Sequence, residues 1–120
     1  MLKYDTLVSE ALKAIPEFKA EYDKLISADI IDAESGNHIV FGFTFVPVLL
    51  SAIQDGNESL RDSMLAIVEQ MASSEDRLVV EVCDYSILEA LNDHVEDSVL
   101  MPLLGEQTRI GFDAIKRYMR

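Results

Sequence analysis

Ile39-Val40-Phe41-Gly42-Phe43-Thr44-Phe45-Val46 is the stretch on which the fold turns. β-Branched and aromatic side chains dominate it, and by composition it passes for a strand. A lone strand leaves its backbone donors and acceptors unsatisfied, and no other segment of the 120-residue chain reads as its partner. The segment is therefore expected to be a helix, kinked at Pro47 or starting near it. The run from His38 to Gln54 contains no Asp, Glu, Lys or Arg. It falls short of the roughly 20 residues of a bilayer span and is interrupted by Pro47, so it reads as a buried central segment and not as a membrane helix.

Helical spacing continues on both sides. Tyr4, Leu7, Val8, Ala11, Leu12 and Ile15 form an apolar stripe on a first helix with Asp5 or Thr6 near its cap, and Pro16 ends it. Proline suits a first helical turn, so a second helix through Phe18, Tyr22, Leu25 and Ile26 starts there and completes a hairpin. Ser27 to Asn37 reads as an acidic loop anchored by Ile30 and Ile31. Asn57 or Ser59 caps a fourth helix with Leu60, Met64, Ile67, Val68 and Met71 on its apolar face. A serine cap in Ser73-Ser74-Glu75-Asp76 opens a fifth, from Glu75 to about Leu91, and Asn92-Asp93-His94 breaks it. A short sixth helix holds Val95, Val99, Leu100, Leu103 and Leu104, is interrupted by Pro102, and closes at Gly105. The last uses Ile110, Phe112, Ile115, Tyr118 and Met119, with Lys116, Arg117 and Arg120 complementing the negative end of its dipole. The expectation is one all-α domain over residues 1–120. It has about six or seven short helices in antiparallel pairs, as a HEAT-like α-solenoid or a compact helical bundle.

Charge is unevenly spread. Between Leu25 and Thr108 sixteen residues are acidic and only Arg61 and Arg77 are basic, a net of −14 within a chain of net charge −12. Solubility accounts for part of this, yet a small domain needs a net charge of only about 2–8 for it. A field of one sign repels nucleic acid and anionic lipid and favours encounter with a basic protein, so neither nucleic acid nor membrane is an expected partner. Cys83 is the only cysteine, and the opening Met1-Leu2-Lys3-Tyr4-Asp5 lacks an apolar leader core, so the cytoplasm is the expected location.

Motifs of catalysis and cofactor binding are missing. The five glycines form neither a dinucleotide fingerprint nor a phosphate loop. Cys83 sits among Val79, Val80, Val82 and Ile87, where a buried inert thiol is expected. His38 and His94 belong to no zinc motif, and Asp93, His94, Glu96 and Asp97 fix no coordination geometry. Asp55-Gly56-Asn57-Glu58 reads as a turn, not a calcium loop. No catalytic residue, cofactor or metal is assigned, and enzymatic activity is not expected.

The fifth helix says more about binding. At 100° per residue, Val79, Val80, Cys83, Ile87, Ala90 and Leu91 gather on one side, while Glu81, Asp84, Tyr85, Leu88 and Glu89 gather on the other. Leu88 has a competing place against a flanking helix. An outward tyrosine ringed by carboxylates has the make-up of an interface hot spot for a basic protein, and Asp93, Glu96 and Asp97 extend it. The expected partner-binding residues are Glu81, Asp84, Tyr85, Glu89, Asp93 and Asp97.

Leu60 to Met71, the Ser73-Ser74-Glu75-Asp76 turn, the run Val79-Val80-Glu81-Val82-Cys83-Asp84-Tyr85-Ser86-Ile87-Leu88-Glu89-Ala90-Leu91 and Leu104-Gly105-Glu106-Gln107-Thr108-Arg109 resemble small bacterial helical proteins of HEAT-like build. Several of those resemble immunity proteins encoded beside contact-dependent growth-inhibition or polymorphic toxins. The resemblance covers roughly the second half of the chain. It implies a non-catalytic inhibitor that covers the substrate-binding surface of a basic toxin domain, a nuclease by the charge argument. The alternative is a helical adaptor or scaffold whose groove holds a peptide or protein.

Overall fold

The computed structural model describes residues 2–118, and every regular element among them is helical. Helix α1 (Leu7–Ala14), led in by a 3-10 turn over Tyr4–Thr6, meets α2 (Pro16–Ser27) across Ile15. After a loop come α3 (Asn37–Gln54), α4 (Glu58–Ala72) and α5 (residues 77–94). Helix α6 (Asp97–Leu100) tightens into a 3-10 turn over Met101–Leu103, and α7 (Glu106–Tyr118) follows. Seven helices in an all-α arrangement thus surround one contiguous core among the described residues.

The decisive stretch is helical and begins at Asn37, ten residues before Pro47, so of the two alternatives the helix that passes through the proline is the one observed. Its aromatic content serves packing. Phe41 and Phe45 point the same way and enclose Phe18 of α2, with ring centroids 5.1–5.7 Å apart and all three side chains buried. At 18 residues with mean hydropathy 1.4, α3 approaches the length of a short membrane span, yet Val40, Phe41, Phe45, Val46 and Leu49 are core of this domain. Pro47 does not break the helix because the turn ahead of it is widened. Over Phe41–Phe45 the backbone is π-helical, and the Val46 N–H donates to the Phe41 carbonyl, five residues back. The extra residue relieves the crowding that a pyrrolidine ring imposes on the preceding turn. A second wide turn over Cys83–Leu88 lies within α5, against the first. Thr44, inside the α3 wide turn, is fully buried and its hydroxyl has no hydrogen-bond partner.

Two helices, α4 and α5, are capped by their own N-cap side chains. Asn57 caps α4 by accepting from the Leu60 N–H at 3.3 Å. Asp76, not a serine, caps α5: one oxygen accepts from Leu78 N at 3.1 Å and the other from Tyr4 N at 2.8 Å, so one side chain serves two helix starts. Ser74 supports it by accepting from Asp76 N and donating to the Leu2 carbonyl. Helix α5 therefore begins two residues later than expected and runs through Asn92-Asp93-His94 instead of breaking there.

Helix α7 is capped from outside its own sequence. Glu69 of α4 accepts from Gln107 N at 3.1 Å, Thr108 N at 2.9 Å and Thr108 Oγ1 at 2.7 Å. Gly105 makes the approach possible, since a Cβ there would collide with the Glu69 carboxylate. Phe112 and Ile115 of α7 are buried, as expected, but Ile110 and Tyr118 are exposed, while Met119 and Arg120 lie outside the described residues. The loop after α2 is anchored by Ile31 alone, Ile30 being exposed.

Two stability predictions follow from these contacts. Thr44→Val removes an unpaired buried hydroxyl at nearly constant shape, and urea unfolding should show a gain of about 1 kcal/mol. For Glu69, burial is the largest single influence and works to raise the carboxyl, but the three hydrogen bonds together hold it below its ordinary value. A depressed carboxyl stabilises the fold above its unfolded-state pKa and loses that contribution as pH falls through the folded one. Glu69→Ala should therefore cost about 1–2 kcal/mol at neutral pH, as loss of a helix cap does, with the gap to wild type narrowing in acid.

Candidate functional site

Glu81, Tyr85 and Glu89 follow one another at four-residue spacing along α5 and form a row on its outer side. Tyr85 is 61% exposed, and the two glutamates are half-buried beside it. Exposed Arg77 approaches Glu81 at 3.8 Å, a surface pair of little energetic weight. Leu88, which the projection put among them, is fully buried. The wide turn explains the difference. Each residue of a π turn advances less around the axis than an α-helical one, and by Leu88 the accumulated lag has rotated the side chain into the core.

Asp84 turns from the outer row toward α7. A Cβ added at Gly111 would stand 3.2 Å from Asp84 Oδ1 and 3.3 Å from a Leu88 methyl, so glycine allows α7 to close on α5 here. The result is a groove of about 210 Å³ lined by Asp84, Tyr85 and Glu89 from α5 and Ala114, Ile115 and Tyr118 from α7. Burial is the main cause that pushes the Asp84 carboxyl up, with the charges of Glu81 and Glu89 adding to it. None of the ion pairs among the described residues includes Asp84. A carboxylate held half out of water without a counter-charge is a site at which an incoming cation gains more than at an ordinary surface acid.

The other two expected contact residues stand apart. Asp93 is exposed near the end of α5 and does not line the groove. Asp97, at the start of α6, is paired with Lys116 of α7 and so is already neutralised; Lys116 also lies over the Phe112 ring, 5.4 Å from its centroid. Four of the six residues, Glu81, Asp84, Tyr85 and Glu89, thus share one face. The α7 wall was missed: Tyr118 was placed with the core stripe and Gly111 was passed over. The available signal was the helical spacing of Gly111, Ala114, Ile115 and Tyr118, which puts two small and two large residues on one face of α7.

Other reactive groups are arranged for structure. The Cys83 thiol is fully buried, 3.8 Å from the Val68 carbonyl, and desolvation pushes its pKa up strongly, with Asp84 and Glu69 adding to the effect. His38 Nδ1, in the first turn of α3, and Ser86 Oγ, in the wide turn of α5, lie 2.8 Å apart and join the two helices. Among the described residues no three His, Cys, Asp or Glu side chains converge as a metal site requires.

The family described as Domain of unknown function (DUF7674) has a sequence model that matches residues 8–120, nearly the whole chain. The chain belongs to the DUF7674 family. No curated protein and no solved structure matches it. The DUF7674 match takes in both walls of the groove and the Glu69 cap of α7.

Asp84 supplies the test of this geometry. A carboxyl raised in the folded state destabilises the fold once pH exceeds its unfolded-state pKa, and the penalty is absent well below it. Asp84→Asn should stabilise the domain at neutral pH by less than about 1 kcal/mol, because the group stays partly in water. Urea titrations at neutral and acid pH check this, the gain vanishing in acid.

Proposed function

We propose that this protein is a cytoplasmic immunity protein, a stoichiometric inhibitor that binds and neutralises a basic toxin domain, a nuclease, by covering its substrate-binding surface. The observation that carries the reading is the α5 face, where Glu81, Tyr85 and Glu89 stand in a row beside the unpaired Asp84. A positively charged surface that holds phosphates is complementary in sign to these carboxylates, and the exposed tyrosine adds apolar contact at low entropic cost. The helical pairs α1/α2 and α4/α5 are consistent with the HEAT-like resemblance. Asp93, exposed near the end of α5, adds to the long-range field that sets the encounter rate, whereas Asp97 is already paired with Lys116. Electrostatic steering raises association toward about 10⁸–10⁹ M⁻¹s⁻¹ at low salt, which suits an inhibitor that must capture a toxin before it cuts.

A second reading, a helical adaptor, is favoured by one feature: Ile39 and Phe43, one turn apart on α3, are both about half exposed. A stable partner bound through that α3 face and not encoded beside this protein would support the adaptor.

Co-expression with a toxin domain encoded in the adjacent gene is the direct test, with cell growth as the readout. Growth should be restored by the wild type. The double substitution Asp84→Lys with Glu89→Lys should keep its helicity by circular dichroism, slow association at least about tenfold, and flatten its salt dependence. Unchanged association by the double variant would remove this face from the reading.

A further inference from the structure

The α5/α7 groove has a size and lining that narrow what it receives. Its volume of about 210 Å³ is below the roughly 300–1,000 Å³ of small-molecule pockets, and suits a single long side chain. Its walls are mixed: Ala114, Ile115 and the faces of Tyr85 and Tyr118 are apolar, whereas Asp84 and Glu89 place carboxylates at one side. Tyr85 and Tyr118 are both large, exposed aromatics, at 61% and 89% of their surface. A compact, strongly hydrated ammonium gains little from such walls. A planar, weakly hydrated guanidinium can lie on an aromatic face and direct its edge N–H groups to carboxylate oxygens at the same time.

We propose that this groove is the seat of one arginine side chain of a basic protein partner, with the guanidinium against the Tyr85 and Tyr118 rings and hydrogen-bonded to Asp84 and Glu89. The proposal rests on the α5 face being the partner-binding surface, and adds which residue of the partner anchors it. Charge complementarity selects the occupant, since the α5 wall of the groove belongs to a segment of net charge −14, the carboxyls of Asp84 and Glu89 line the groove, and Asp84 has no counter-ion among the described residues. Glycine at position 111 is part of the seat, because a larger residue would press on Asp84 and Leu88.

The test is a titration of the full-length, ¹⁵N-labelled protein with two probes of equal charge, acetylated hexa-arginine amide and hexa-lysine amide, at low salt. The arginine peptide should bind roughly fivefold tighter, the scale of a cation–π contact at an exposed site. Its amide shifts should centre on Gly111, Ala114 and Ile115. Tyr85→Ala, whose side chain is exposed and whose spectrum should remain that of a folded protein, should bring the two affinities together, with Tyr85→Phe retaining the preference. Equal binding of the two peptides to the wild type would overturn the arginine seat, as would shifts centred elsewhere or a preference that survives both Tyr85→Ala and Tyr118→Ala. Equal binding that is lost in the Asp84→Lys, Glu89→Lys protein removes the seat but supports the acidic face. An arginine preference in a protein that fails to restore growth against the adjacent toxin removes the toxin reading but supports the seat.

Discussion

Three phenyl rings organise this protein. Phe18, Phe41 and Phe45 meet edge to face and tilted in the space between α2 and α3, and each contributes about 1.5–3 kcal/mol of burial. As a helix the apolar stretch presents Phe41 and Phe45 on one side, and it widens by one residue in the turn ahead of Pro47. The wide turn in α3 rests against the wide turn in α5, and His38, just ahead of the first, reaches Ser86 in the second. The orientation of α5, and so the direction in which its acids face, descends from that contact.

The wide turn of α5 redistributes side chains that an ordinary helix would place otherwise. Leu88 is carried inward, and the outer side keeps Glu81, Tyr85 and Glu89. Asp84 is left at the junction, half withdrawn from water by α7 and repelled by its two acidic neighbours. Such a carboxylate weakens the isolated domain. Its presence is reasonable where a partner's positive charge completes the surroundings, since groups that destabilise a fold concentrate where function requires them.

Helix content was legible in the sequence because it depends on spacing. Leu7, Ala11 and Ile15, or Met64, Val68 and Met71, are buried as their periodicity implies. The strand-like stretch was assigned to a helix by backbone hydrogen bonding, an argument that side-chain preference alone contradicts. Whether the helix passes through Pro47 or starts beside it was not legible, because a proline can either kink a helix or mark its boundary, and the π turn ahead of Pro47 leaves no local signature in the sequence. For the same reason a fixed 100° projection separated the outer row correctly at Tyr85 yet misplaced Leu88. The α7 wall of the groove and the role of Glu69 depend on contacts between residues roughly 25 to 40 positions apart, which no local pattern records.

Glu69 also couples α7 to a distant part of the chain. A 13-residue helix is marginal alone in water, and the donors that open α7 find their acceptor 38 and 39 positions earlier in the chain. The α7 wall of the groove is therefore tethered through a side chain that the groove itself does not contain, and the partial withdrawal of Asp84 from water depends on an anchor in α4.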